Sequence, residues 1–494
     1  MSNHVIHTEN GKLADDTPFP VVRQLVEDAV ERGHLVLHFH GGLVSEAAGR
    51  ATAEFLKPKY EAAGAFPIFP VWEAGLLETL RNNLDKVAKE LFFRLLFKRV
   101  MRIATRKFAQ DDAGRSSTTL PIIDLTAEED AFDRALNLAD PTQLPTAPVP
   151  NPGMVELSDA EMLSLELELA ADPVLTQATA EVSAALRSEQ EIADDLASRS
   201  ASAPVLGSTK TLMDPSALDR MLVRDSPGAR GVVTIWKVAK AVVKIAARVV
   251  KRYIQGRDHG FRATITEEIL RAFYVGNIGG FIWETMKEDT KDHFKEGPEL
   301  HGGTAILSVL REQLQAGKEP RVTLIGHSTG AVFIAHFLEA ARRTLPASMK
   351  FDVILLAPAS TFRLSAGGIS GNRDLIGGLR VFAMTDTNER ANRLVPVLYP
   401  HSLLYFVSGV VEEETDMPLI GMQRYYDRSR YKASDFPTLE RFRQHMDAVT
   451  DSIVWSVAEG PDGRRSSAVK HGDFDNEENT VESVQHILRQ GFGT

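Results

Sequence analysis

The chain of 494 residues contains no cysteine. Disulfides, a thiol nucleophile and cysteine-ligated metal centres are therefore excluded, and the composition fits a reducing compartment. No run of about 18 apolar residues occurs, so no membrane-spanning helix is expected. The first residues, MSNHVIHTENGKLADD, are polar and lack the apolar segment of a secretory signal. A cytoplasmic location is the resulting expectation. An excess of basic residues is missing too: 67 Asp and Glu against 56 Lys and Arg leave a net charge of −11, which argues against a general nucleic-acid binder. Apolar residues are not scarce. At 43% they can fill a sizeable core, in two or three domains or in one elaborated domain.

What is present centres on Arg321–Arg343, RVTLIGHSTGAVFIAHFLEAARR. Val322–Ile325 is an apolar run with strand character. Gly326-His327-Ser328-Thr329-Gly330 follows directly, and then Ala331, Val332, Ile334, Ala335, Phe337, Leu338 and Ala341 recur at helical spacing. Strand, G-x-S-x-G and helix together describe a nucleophile elbow. The serine sits in a strained turn, small flanking residues let strand and helix approach, and the helix N-terminus offers free N–H groups to an oxyanion. Upstream, Leu35–His40 (LVLHFH) reads as a strand that runs into His40-Gly41-Gly42-Leu43.

These features resemble the α/β-hydrolase superfamily, over Val21–Trp72 and Thr304–Leu488. The fold the resemblance implies is α/β: a mostly parallel sheet flanked by helices, interrupted by a large, mostly helical insertion. It further implies a serine, an acid and a histidine in that chain order, with no metal or organic cofactor. Ser328 is the nucleophile. The acid is expected just past the strand Leu379–Met384, at Asp386, with Glu389 as the fallback; Asp386 also has the spacing of a helix cap. The base is expected in the loop after the last strand, Ile453–Ala458, where His471 precedes a closing helix at Val481–Arg489. His38 and His40 are read as packing or supporting residues. Asp473 and Asp475 are read as hydrogen-bonding nearby groups or capping the closing helix. The oxyanion hole is expected at the backbone N–H groups of Gly42 or Leu43 and of Thr329.

The core is expected in two parts, 1–72 and 301–494, separated by an insertion over 73–300. Ala47–Ala62 reads as a helix that Pro58 could end early, and Phe66–Trp72 (FPIFPVW) as a strand whose prolines suggest an irregular or edge position. Leu76–Phe108 has a long helical pattern with a basic stripe at Arg94, Lys98, Arg102 and Arg106. Val232–Tyr253 repeats this with Lys237, Lys240, Lys244, Arg248 and Lys251. Between them, 110–230 is acidic and rich in Ser, Thr, Ala and Pro, and reads as a mobile linker or loosely packed lid with short helices at Asp159–Ala170 and Thr176–Leu196. A further helical stretch covers Thr264–Phe294. The Gly-rich Ser365–Asn372 lacks the lysine and spacing of a phosphate loop and reads as flexible.

Two functions follow for the basic helices. They form a cap whose apolar faces pack inward, or segments 86–108 and 232–254 touch a membrane surface, with the acidic stretch masking them. The activity implied is hydrolysis of a carboxylic ester on a small-molecule or lipid substrate. A lipid hydrolase at a membrane surface and a catalytically silent interaction scaffold are the alternatives.

Overall fold

The computed structural model describes residues 4–42, 44–72, 77–110, 125–138, 154–199, 211–214, 216, 234–278, 280–297 and 300–493. Eight strands form one sheet: β1 (Val5–Glu9), β2 (Lys12–Leu13), β3 (His34–Phe39), β4 (Phe66–Trp72), β5 (Arg321–His327), β6 (Phe351–Leu356), β7 (Ile376–Met384) and β8 (Ile453–Ser456). Their order is β2-β1-β4-β3-β5-β6-β7-β8, parallel throughout except where β1 meets β2. The fold is thus α/β, a mostly parallel sheet flanked by helices.

The two-residue period of the strands sorts their side chains into two cores. Leu35, Leu37, Leu324, Val353 and Leu355 face one layer, with the helices Phe19–Arg32, Gly302–Gln315 and Gly330–Thr344. Val36, Ile325, Ile354 and Phe382 face the other, against the helices Glu46–Ala62 and Glu478–Gln490. Burial on both faces explains why β5, β6 and β7 are near-continuous apolar runs. Because these strands are parallel, the segments after β3, β5, β7 and β8 all emerge at one edge of the sheet, where the candidate residues sit.

The hairpin β1–β2, unmarked in the sequence reading, extends the sheet beyond β4. β4 is therefore an interior strand, between β1 and β3, and not an edge. Its prolines still cost ladder donors, but their carbonyls remain available: Pro67 O contacts His4 Nδ1 at 2.6 Å. Pro58 likewise does not end its helix, which runs on to Ala62. Ser365–Asn372 is ordered as a short helix, Phe362–Gly368, followed by a 3₁₀ turn, Ser370–Leu375. Buried Ile369 and Leu375 pin it to the core.

The insertion is built on the same core. Its long first helix is broken into Leu77–Lys89 and Leu91–Gln110. Between them the Glu90 carboxylate accepts hydrogen bonds from Leu212 N, Thr211 Oγ1 and Tyr274 Oη. Leu91–Gln110 packs on Ile235–Ile254, and Leu96, Val100, Val242, Ile245 and Val249 are buried in the layer that holds the elbow helix. The expected Thr264–Phe294 stretch divides into Phe261–Phe273, Val275–Ile278 and Gly280–Asp292. Much of 110–230 lies outside the described residues. Within it, three helices, Leu125–Leu138, Asp159–Ala170 and Pro173–Arg199, are in place.

Acidic residues of this segment pair with basic residues of both helices. Lys98 pairs with Asp133, Arg99 with Asp172 at 2.7 Å, Lys107 with Glu161 at 2.9 Å, Arg106 with Glu168 at 3.3 Å and Lys251 with Glu156 at 3.7 Å. A buried clasp ties the insertion to the rest of the chain. His259 lies between Glu267 (Nδ1, 2.7 Å) and Asp416 (Nε2, 2.9 Å), Arg252 meets Glu267 at 2.7 Å, and Arg257 meets Asp416 at 2.9 Å. Breaking one member would leave a buried charge unpaired, which is strongly destabilising. Among the described residues no helix is long and apolar enough to cross a membrane.

Candidate active site

Ser328 directly follows β5 with φ at 54°, a left-handed conformation that costs a non-glycine residue energy. The surroundings hold it there. Ser328 N donates to Leu356 O at 2.8 Å, and Ser328 O accepts from Ala359 N at 2.9 Å. Strand and helix meet so closely that a Cβ on Gly326 would lie 2.6 Å from Gly330 C, and one on Gly330 would lie 2.4 Å from Phe39 O. Only glycine fits at either position, which is the steric content of the motif.

His471 opens a 3₁₀ turn, His471–Asp473, in the long connection after β8. Its Nε2 lies 2.9 Å from Ser328 Oγ. The Asp473 carboxylate accepts from Val469 N (3.1 Å) and Lys470 N (2.9 Å), which shapes the loop that presents the ring. Burial, reinforced by the nearby His327 and partly opposed by Asp475, lowers the pKa of His471 to about 3. The ring is therefore neutral at neutral pH and free to accept a proton.

On the opposite wall, Gly41 and Gly42 follow β3. His40 secures this turn: its ring stacks on Trp72 at 3.9 Å, Nδ1 donates to Gly41 O at 2.8 Å, and Nε2 accepts from Trp72 N at 3.2 Å. His38 is buried against Tyr60, its Nδ1 3.1 Å from the phenol oxygen. A Cβ on Gly41 would lie 3.3 Å from Ser328 Cβ, and one on Gly42 would lie 2.4 Å from Thr329 Oγ1. Gly42 and Thr329 are thus neighbours beside the serine. Neither of their backbone N–H groups donates to an acceptor among the described residues. Leu43 lies outside the described residues. A cavity of about 270 Å³ opens here, lined by Gly41, Val44, Arg81, Ser328, Leu394, Leu403, Lys470 and His471.

The expected third member is not brought to the histidine. The Asp386 carboxylate accepts from Tyr405 Oη and, at 2.9 Å, from Arg390 Nε. Burial would raise its pKa, but Tyr405 and Arg390 outweigh that and hold it below the usual carboxylate value. Asp386 starts the helix Asp386–Ala391, with Thr385 as its cap, so local helix chemistry and a neighbouring arginine claim its side chain. Glu389, on the same helix, is fully buried, and neither carboxyl oxygen has a hydrogen-bond partner among the described residues. His471 Nδ1 is also buried without a partner among the described residues.

Two residues with undervalued roles flank the pair instead. His327, the middle residue before the serine, contacts His471 O through Nε2 at 3.0 Å, and Asp475 Oδ2 lies 3.2 Å from His327 Nδ1. The closing helix is capped by Glu477, which accepts from Asn479 N and Thr480 N, and not by Asp473 or Asp475. The signal for His327 was its adjacency to Ser328, and for Asp475 its place four residues past His471. Among the described residues no cluster of three or more His, Asp or Glu could hold a metal ion.

Compared with known proteins, the chain matches no family, no curated protein and no solved structure.

Proposed function

We propose that this chain is a serine hydrolase of the α/β-hydrolase type that cleaves carboxylic esters through an acyl-enzyme on Ser328. The observation that carries the reading is the 2.9 Å contact between Ser328 Oγ and a neutral, buried His471. The left-handed serine at the end of a central parallel strand supports the same reading, as do two N–H groups beside it that meet no acceptor among the described residues. So does the chain order, with the nucleophile after β5 and the base after β8.

In this mechanism His471 Nε2 takes the hydroxyl proton as Ser328 Oγ bonds to the ester carbonyl carbon. The oxyanion accepts hydrogen bonds from Gly42 N–H and Thr329 N–H. As the tetrahedral intermediate collapses, His471 gives its proton to the departing alkoxide. Water, deprotonated by His471, then attacks the acyl-enzyme, and Ser328 leaves with the proton restored.

Lipid docking through the basic helices is not favoured, because most of their apolar faces is buried and acidic residues pair with Lys98 and Arg106 of the stripe. The test is labelling of the folded chain with a fluorophosphonate, which reacts with activated serines. Wild type should label, and Ser328→Ala and His471→Ala should not. Labelling that persists in Ser328→Ala, or a folded wild type inert to both the probe and p-nitrophenyl acetate, would overturn the proposal. The second result would favour a silent scaffold.

A further inference from the structure

Two consecutive residues of the elbow grip His471 from opposite ends. Ser328 meets the ring at Nε2, while His327 Nε2 lies 3.0 Å from the main-chain carbonyl of His471. The other nitrogen of His327 faces Asp475 Oδ2 at 3.2 Å. One short loop therefore carries both the base and this carboxylate. His327 is 5% exposed and Asp475 9%.

The protonation state of His327 follows from its neighbours. Nε2 must carry hydrogen to donate to a carbonyl oxygen. A neutral ring would then turn the Nδ1 lone pair toward a buried carboxylate, which is repulsive. Hydrogen on both nitrogens lets Nε2 donate to the carbonyl and sets an imidazolium 3.2 Å from the Asp475 carboxylate, an ion pair that is not aligned as a hydrogen bond. His471 lacks the usual orienting bond, since its Nδ1 has no partner among the described residues. Its orientation comes from Ser328 at Nε2 and from the contact of His327 with its main chain.

We propose that His327 and Asp475 are the positioning residues of the base: a buried imidazolium–carboxylate pair that pins the His471 main chain against Ser328 and whose positive charge opposes protonation of the His471 ring. The proposal rests on the hydrolase reading above. The electrostatic directions agree with it. Burial works against charge on His327, but Asp475 and the His471 carbonyl outweigh it and raise the His327 pKa. Burial likewise opposes charge on Asp475, and His327 outweighs it in the other direction. The other titratable groups around the pair are His38 from β3, His40 just after it, and Tyr60 from Glu46–Ala62. Burial lowers the two histidines to about 3 and about 4 and raises the phenol, so all three stay neutral near pH 7.

The test compares His327→Gln, His327→Ala and Asp475→Asn with wild type on p-nitrophenyl acetate, after thermal melts establish that each is folded. Glutamine keeps an N–H for the carbonyl but carries no charge. His327→Gln should keep kcat within about threefold and move the acid limb of kcat/KM up by about one pH unit, as expected when a nearby positive charge is removed. His327→Ala and Asp475→Asn should lower kcat by about tenfold or more with KM little changed, the signature of a misplaced base. A purely structural role would not move the acid limb. If His327→Gln leaves that limb unmoved and folded Asp475→Asn keeps wild-type kcat, the clamp is wrong and the hydrolase reading stands. If wild type neither labels nor hydrolyses, the hydrolase reading falls and takes the clamp with it.

Discussion

Glu389 offers a sharp test of the electrostatics around the site. Its carboxyl group is fully buried at the end of the sheet, and neither oxygen has a hydrogen-bond partner among the described residues. Burial pushes its pKa up to about 8. The nearby Ser402 pulls the other way without an aligned hydrogen bond, and the charge on Asp386 adds to the rise. In the unfolded chain a glutamate titrates near 4.3. The sign follows directly. Below that value the group is protonated in both states and contributes nothing to the pH dependence. Above it, only the unfolded chain ionises, so stability falls as pH rises until the folded carboxyl also ionises near 8. The loss is about 1.4 kcal/mol per pH unit, or about 4 kcal/mol between pH 5 and pH 8. Glu389→Gln keeps the shape and removes the titration. The variant should therefore gain on wild type as pH rises, by about 4 kcal/mol over that interval. Guanidinium unfolding at the two pH values, followed by tryptophan fluorescence, measures it. The difference between the two proteins cancels all other groups that titrate alike in both. If wild type and variant show the same pH dependence, Glu389 is ionised or solvated in the folded protein and the reasoning fails.

Because burial lowers His471 to about 3, kcat/KM should stay level from neutral pH down to about pH 4 and then fall about tenfold per unit, read from a pH–rate profile. A Cβ on Gly42 would meet Met286 Sδ at 1.8 Å and Thr329 Oγ1 at 2.4 Å. Gly42→Ala should therefore displace the oxyanion donors and lower kcat by about 10²–10³, and adding Met286→Ala should restore part of it in steady-state assays. With the apolar faces of Leu91–Gln110 and Ile235–Ile254 buried, sedimentation with anionic vesicles at low salt should recover the protein in the supernatant; co-sedimentation that salt reverses would show that these helices open.

The elements most legible in the sequence were those whose local pattern and final environment agree. GHSTG between an apolar run and a helical repeat is such a case, because the close approach of Gly326 and Gly330 is imposed by chain neighbours. His471 was legible by its order after the last strand. β4 was misjudged because a proline's cost depends on which neighbour loses the hydrogen bond, and that is a property of the sheet. The basic helices could be read as amphipathic, but the identity of what covers each face could not be read from either helix alone. Asp386 shows the same limit. Its position past β7 was right for an acid, yet Arg390 one turn on and Tyr405 from a separate helix bind its carboxylate first.

By itself, then, the sequence determined what depends on covalent neighbours and periodicity: the strands and helices of the two-sided core, the strained serine turn, and the exclusion of thiol and disulfide chemistry. Tertiary structure alone decided what depends on which distant groups share a buried space. It joined Ser328 to His471 across 143 residues, paired His327 with Asp475, left Glu389 and His471 Nδ1 without partners among the described residues, and set acidic residues against two basic helices. The physical reason is that burial sets the strength and even the sign of an electrostatic effect, and burial is created only when remote segments pack together.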